Sequence, residues 1–304
     1  MPTILIAGGT GFIGTHLSRR LLADGHTVRH LSRSERPDSL YPTFQWDVKA
    51  GTIDEEAFAD VDYVYNLAGA GIVGQRWTDE RKRVIIESRT ESARLLGRTM
   101  QRLGIQPKLY LSSSAIGYYG DRGEELMTEN KAPGDGFLSK SCVLWEEAVH
   151  EVEAMNFPVF INRTGIVLHP DEGALEKMLL TMKVNVSTYF GDGQQYYSWI
   201  HVDDLVGIFV HAMNEDLTGT FNGVAPNPVR NKTLAETIPD AMGTSALVVP
   251  APTFTMKLAM GEMSHTVLDS TRCSSEKIEG AGYDFRFREL GKALEHLLGS
   301  NNAG

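Results

Sequence analysis

A short apolar, β-branched run, Thr3 to Ala7, leads directly into Gly8-Gly9-Thr10-Gly11-Phe12-Ile13-Gly14, and Leu17, Leu21 and Leu22 then recur at helical spacing up to Ala23. The run is long enough for a buried strand and too short for a helix, so the segment reads strand, glycine turn, helix. Gly8 lets the chain turn sharply, Gly11 lets the backbone approach a pyrophosphate, and Gly14 lets the helix pack on the strand, while free N–H groups at the helix start face the anion. A bare glycine triplet would be an ordinary strand-to-helix turn. Set between these elements it predicts dinucleotide binding, with Gly8, Thr10, Gly11, Phe12, Ile13 and Gly14 as the contacts.

Beyond the turn glycine Gly25, Thr27 to Leu31 reads as a second strand ending in Ser32-Arg33-Ser34. A chain that binds NAD usually carries Asp or Glu about 20 residues after the glycines, for the ribose 2′-hydroxyl, whereas an Arg there suits a 2′-phosphate. Arg33 lies 19 residues after Gly14, where its guanidinium can pair with phosphate or stack on adenine. NADP(H) is therefore expected over NAD, a solvated loop arginine being the plainer alternative. Val61 to Leu67 is a third apolar run, and its end, Asn66-Leu67-Ala68-Gly69, leaves room for a cofactor at a strand's carboxyl edge. Asp47 is either a contact to the adenine amine or a loop carboxylate. Leu109 to Leu111 begins another strand that runs into Ser112-Ser113-Ser114 and Tyr118-Tyr119-Gly120, a hydroxyl cluster suited to nicotinamide and substrate or to a hydrogen-bonded turn.

Strand and helix patterns alternate to about residue 168, which predicts an α/β fold: a doubly wound parallel-sheet Rossmann domain over 1–168, with segments around 199–225 returning to it. Residues 169–304 would form mainly a smaller C-terminal α/β substrate region over the sheet edge. Glu172 to Val184 and the tail from Asn231 onward would build it, Pro239, Pro250 and Pro252 interrupt that tail, and Gly223 to Pro228 and Ser300 to Gly304 are loop and frayed end.

The 304 residues carry 29 Lys and Arg against 39 Asp and Glu, a net charge of −10. Such a surface repels phosphate backbones and anionic lipid, so neither nucleic acid nor a membrane is expected as a partner. Cys142 and Cys273 are the two cysteines, too few for a disulfide framework or a metal-ligand spacing, and they fit a reducing compartment. With no His-Glu-x-x-His spacing either, no metal is expected. The N-terminus shows no basic leader and no apolar stretch nears the ~20 residues of a membrane span, which places the protein in the cytoplasm. A small-molecule substrate is the expected partner, and a homodimer stays open.

Gly8 to Gly14, Asn66-Leu67-Ala68-Gly69 and Ser112-Ser113-Ser114-Ala115 together resemble the extended short-chain dehydrogenase/reductase superfamily of nucleotide-sugar epimerases and dehydratases. Arg163-Thr164-Gly165-Ile166-Val167-Leu168 and Trp199-Ile200-His201-Val202-Asp203-Asp204-Leu205 follow in the order that superfamily uses. Arg76-Trp77-Thr78, Ser88-Arg89, Gly117-Tyr118-Tyr119-Gly120, Trp145-Glu146, Ala225-Pro226-Asn227-Pro228-Val229 and Gly261-Glu262-Met263 are similar to its atypical "epimerase family protein" subgroup. The resemblance implies NADP(H) held by the glycine turn, Ser32, Arg33, Leu67, Ala68, Gly69, Ser112 and Arg89, with Val167 near the nicotinamide. Without it, Arg89 is one charge on a basic helix face. A division-inhibitor role attached to some bacterial members has no residue here to carry it.

The chain also departs from that superfamily. A catalytic Tyr and a Lys four residues on are expected on the helix after the serine strand; counted back from Glu146, their positions hold Leu138 and Cys142. Lys140 is turned about 200° away from the Lys position. Ser114 remains, matching the superfamily's catalytic serine, and Tyr118 or Tyr119 would be a substitute phenol unless both are packing residues. Cys142 is either a thiol near the nicotinamide or a small buried apolar residue. Tyr197-Ser198-Trp199 stands where nucleotide-sugar enzymes carry an Arg for the diphosphate. Trp77 and Arg272 are expected on the substrate side, Arg272 holding an anion or making an exposed salt bridge, while His201 to Asp204 caps the helix Leu205 to Met213. Two functions follow: an oxidoreductase or epimerase on a small polar carbonyl or alcohol with Ser114 polarising the oxygen, or a protein that binds or senses NADP(H) and does little chemistry.

Overall fold

The computed structural model describes residues 1–34 and 36–299. They form two compact units: 1–115, 140–163 and 206–221 in the first, and 116–139, 164–205 and 222 onward in the second. The expected frayed end, Ser300 to Gly304, lies outside the described residues.

In the first unit β1 (Thr3–Ala7), β2 (Thr27–Ser32), β3 (Thr43–Asp47), β4 (Thr52–Ile53), β5 (Tyr63–Asn66) and β6 (Leu109–Ala115) join Val159–Thr164 and Gly219–Gly223 in one sheet. The order is Gly219–Gly223, Val159–Thr164, β6, β5, β1, β2, β3, β4. β1 pairs in parallel with both β2 and β5, β2 with β3 and β5 with β6, while β4 is antiparallel to β3. The α/β doubly wound Rossmann arrangement follows, with the strand order reversing between β1 and β5, where ligands of such sheets lie. β1 and the start of β5, Tyr63-Val64-Tyr65, are apolar and buried on both faces, as central parallel strands covered by helices must be. Leu5, Val64, Tyr110 and Ile161 meet Leu96 and Met100 of α2 (Asp79–Leu103) and Val149 and Val152 of α3 (Gly136–Glu153) in one buried core. Thr78 Oγ1 accepts from Arg81 N to start α2, and Gly104, left-handed at φ 67°, ends it.

The second unit has short strand pairs rather than a sheet. Ile166–Leu168 runs parallel to Trp199–His201, Leu126–Met127 to Arg272–Cys273, and Tyr196–Tyr197 antiparallel to Val229–Arg230. These pairings correct the expected boundary at 168. Residues 116–139 and 164–168 pair within the second unit, and the part of the chain that returns to the first is 206–221. Leu168, Trp199, Leu234, Phe287 and Leu294 form its core.

Two further expectations change. The helix expected from Leu205 begins at Val202, and the buried Asp204 carboxylate accepts from Arg286 N, Phe287 N and the Tyr283 hydroxyl at 2.9–3.0 Å. Pro239 does not interrupt the tail but lies inside the helix Asn231–Ala241. Proline has no N–H for the carbonyl four residues back, and that carbonyl, Ala235 O, instead accepts the Ser187 hydroxyl at 2.6 Å. Among the described residues no helix is long and apolar enough to cross a membrane.

Candidate functional site

The glycine turn closes against the end of β5. Gly8 has φ 85°, and a Cβ there would stand 2.8 Å from the Leu67 carbonyl; one at Gly14 would stand 2.2 Å from Gly8 O. Both contacts are backbone on backbone, so no rotamer change relieves them. Gly11 sits at the N-cap of α1 (Phe12–Ala23) with no side chain to cap it, and no acidic residue occupies the first turn. The first-turn N–H groups of a helix lack carbonyls inside it and carry the positive end of its dipole, an arrangement that favours an anion. Thr10 and Gly11 are exposed here, and Phe12, Ile13, Leu67 and Ala68 half-buried.

A polar network fixes the facing turn. Asn66 Nδ2 donates to the Tyr110 hydroxyl (3.0 Å) and Ser92 Oγ (3.1 Å), and Asn66 Oδ1 accepts from Ala68 N (3.3 Å). Ser88 Oγ accepts from Ala70 N, and Arg89 Nη1 donates to Ala70 O at 3.0 Å. The Arg89 guanidinium lies against Gly69 and 5.0 Å over the Trp145 ring. Burial holds it below its ordinary pKa. Arg89 is thus a half-buried cation fixed beside Gly69.

At the end of β2, Ser32 is buried and accepts from Ser34 N, while Arg33 is exposed and makes no hydrogen bond or ion pair with any described residue. Asp47 is spent locally, its Oδ1 accepting from Lys49 N and Ala50 N. Beneath the glycines lies His30. Ser18 Oγ gives its proton to Gly14 O, so His30 Nε2 at 2.8 Å donates to Ser18 Oγ. Burial first, then the charge of Arg36, holds this imidazole down at about 4.

The end of β6 is different. Ser114 Oγ donates to Glu146 Oε1 at 2.6 Å, and Arg163 grips the same carboxylate through Nε (2.9 Å) and Nη2 (2.7 Å). All three residues are at most 5% exposed. A hydroxyl has one proton, so with this bond formed Ser114 offers only lone pairs. Polarising a substrate oxygen, the role expected of it, requires the bond to break. Cys142 is buried and its thiol is pushed up to about 12, by burial first and then by Glu146. It is the small buried residue of the two alternatives, a thiol with no thiolate character at neutral pH. Lys140 is exposed, as its helical phase predicts.

Other expected residues divide between units and tasks. Tyr119 is fully buried and donates to Asn222 Oδ1 at 2.7 Å, while Asn222 Nδ2 bonds Met127 O and Ser274 O. Its phenol serves the second unit's packing, which corrects its candidacy as a general acid; Tyr118, ring edge against it at 5.4 Å, is the half-buried one of the pair. Ser112 Oγ donates to the Ser113 carbonyl. Trp77 is buried with its indole N–H on Ile72 O at 2.8 Å, so the polar handle expected to face substrate closes its own loop. Val167 pairs with Ile200 between the two short strands. Arg272 stacks 5.2 Å over Tyr196. His201, Asp203 and His296 gather three ligand-type atoms, yet His201 Nδ1 accepts Asp203 N–H and its Nε2 faces His296 Nδ1 at 3.1 Å, with Arg286 beside both Asp203 and His296. A cation would have to displace those bonds beside a guanidinium.

Sequence reasoning passed over Glu146 as a partner for Ser114. The signal was present: Cys142, Trp145, Glu146 and Val149 share the buried face of α3, and a carboxylate among apolar neighbours needs a cation, which Arg163 at the end of the buried strand Val159–Thr164 supplies.

The switch point, glycine turn and open helix end define a dinucleotide-binding α/β protein. The chain belongs to the NAD dependent epimerase/dehydratase family, whose model matches residues 4–222, and a domain of unknown function, DUF1731, matches 251–297. It is 36% identical over 299 residues to the epimerase family protein YfhF of Bacillus subtilis, covering 97% of each chain. Among solved structures it resembles the human epimerase family protein SDR39U1 with NADPH, at TM-score 0.87 and 30% identity over 98% of this chain and 99% of that one. A UDP-glucuronic acid 4-epimerase from Bacillus cereus, TM-score 0.78 at 19% identity over 98% of both chains, shares the fold.

Proposed function

We propose that this chain binds NADP(H) across the open end of α1 and acts in the cytoplasm as an oxidoreductase or epimerase on a small polar carbonyl or alcohol, without a Tyr-Lys dyad. The observation that carries the reading is the pairing of an uncapped helix N-terminus behind Gly8 to Gly14 with an exposed, unspent Arg33 at the end of the neighbouring strand. The donor set suits a dinucleotide: backbone N–H groups for the pyrophosphate, Ser32 and Arg33 for the 2′-phosphate, Leu67, Ala68, Gly69 and Ser112 as wall, and Arg89 as a cation fixed by α2. The human relative solved with NADPH supports the choice of cofactor. The bound nicotinamide would supply hydride transfer; Ser114 would hold a substrate hydroxyl through its lone pairs while Glu146 keeps its proton.

A second reading is favoured by the Ser114–Glu146–Arg163 network and by Leu138 and Cys142 in the dyad positions: a protein that binds NADP(H) and turns over little. Calorimetric titration with NADPH and NADH, together with absorbance-followed screens of carbonyls and alcohols, separates the readings. NADPH preferred over NADH, with the preference abolished in Arg33→Ala, supports cofactor choice by Arg33; robust turnover then selects the enzyme and none selects the sensor. Equal affinity for both nucleotides in wild type and variant sinks the NADP reading.

A further inference from the structure

The second unit carries a cationic cluster that the cofactor does not need. Tyr196–Tyr197 pairs antiparallel with Val229–Arg230, placing Arg230 opposite Tyr196, while Thr271 N donates to Tyr196 O and brings Arg272 to the same ring. The two guanidinium carbons stand 4.3 and 5.2 Å from the Tyr196 centroid. Their charges are therefore within about 10 Å of each other, no more than the screening length at ~0.1 M salt.

Among the described residues one carboxylate answers them. Arg230 donates through Nη1 to Gln194 O and through Nη2 to Glu124 Oε1 at 2.5 Å. Glu124, with a side chain 73% exposed, is held below the ordinary carboxylate range by Arg230 first and by Arg272 at longer range. Arg272 makes no hydrogen bond or ion pair with any described residue, and its Nε is buried without a partner. A guanidinium has five donors in a planar fork that matches an oxoanion. In a chain of net charge −10, two guanidiniums fixed on one ring by strand pairing, one of them idle, form an incomplete anion receptor.

We propose that Arg230 and Arg272, braced on Tyr196, form a binding site for an oxoanion, a phosphate or carboxylate group of a small molecule, and that Glu124 occupies part of this site until the ligand displaces it. The site is assembled from residues far apart in sequence. It stands independently of the cofactor reading.

The test uses the whole chain, titrated with inorganic phosphate and separately with acetate at constant ionic strength, read by calorimetry and melting temperature. To keep phosphate off the cofactor end, every variant is measured in parallel in an Arg33→Ala background. Saturable phosphate binding is expected, weakened roughly tenfold or more by Arg272→Gln, as for loss of a charged hydrogen bond, and retained in Arg33→Ala. Glu124→Gln is expected to tighten binding severalfold because it removes the internal competitor, and it touches only an exposed side chain, so it decides the matter if Arg272→Gln fails to fold. Acetate binding alongside phosphate supports the site and extends it to carboxylates; phosphate alone supports it for phosphoryl groups. The proposal is overturned by an absence of saturable binding of either ion, by binding that survives Arg272→Gln unchanged, by Glu124→Gln leaving affinity unchanged or lower, or by loss of phosphate in Arg33→Ala. NADPH binding lost while phosphate binding persists would remove the cofactor reading alone.

Discussion

The ends of β1 and β6 belong to the same sheet in the same unit, yet they treat their polar groups in opposite ways. After β1 the glycines and the uncapped start of α1 leave N–H groups facing outward, and Arg33 at the end of β2 stays unspent. After β6 the polar atoms are consumed: Ser114 by Glu146, Glu146 by Arg163, and Cys142 by burial. The contrast teaches that binding and chemistry are separable in this fold. The binding end is built chiefly from backbone geometry, whereas the end of β6 spends its hydroxyl, carboxylate and guanidinium on one another.

Substitutions at each end sharpen the comparison. Glu146→Ala should have the largest effect, destabilising by about 3–5 kcal/mol in denaturant unfolding, because it leaves the Arg163 guanidinium buried without its carboxylate; a loss below 1 kcal/mol, far under that range, would mean the network is not the buried structure described here. Gly14→Ala should cost about 2–3 kcal/mol and abolish NADPH binding in the same titration, since its Cβ meets Gly8 O at 2.2 Å. Arg33→Ala is expected to leave stability untouched and to cost about 1.5–3 kcal/mol of NADPH binding, with NADH unaffected.

Acid adds a smaller effect on both units. Burial holds His30 and His201 at about 4 against an ordinary 6.5. Over that interval the folded protein binds fewer protons than the unfolded chain, so stability rises with pH; it is complete above about 6.5 and is lost progressively as pH falls toward 4. Melting temperatures measured across this range should fall on acidification, and His30→Phe should flatten the slope. A slope unchanged in that variant would show that His30 is not held neutral under the glycines.

How much of this was legible in the sequence follows the same division. Strand, turn and helix from Thr3 to Ala23 could be read because backbone sterics dictate glycine at Gly8 and Gly14, and the apolar run at Tyr63 to Asn66 marks its partner strand. Hydroxyl partnerships could not. Tyr119 finds Asn222 and Ser187 finds Ala235 across 103 and 48 residues of chain, separations at which local periodicity carries no pairing information. Pro239 misled for a related reason: the local rule that proline breaks a helix is overridden when a distant hydroxyl satisfies the freed carbonyl. The Arg230 and Arg272 convergence on Tyr196 is of this kind, invisible until the short strands pair.

Hydrogen exchange of the whole protein with and without NADPH tests the central claim most directly. The account predicts new amide protection concentrated at Gly8 to Gly14, Ser32 to Arg33 and Leu67 to Gly69, with smaller changes at Ser114 and Glu146. Unchanged exchange in those three segments at saturating NADPH, or protection confined to other parts of the chain, would contradict it.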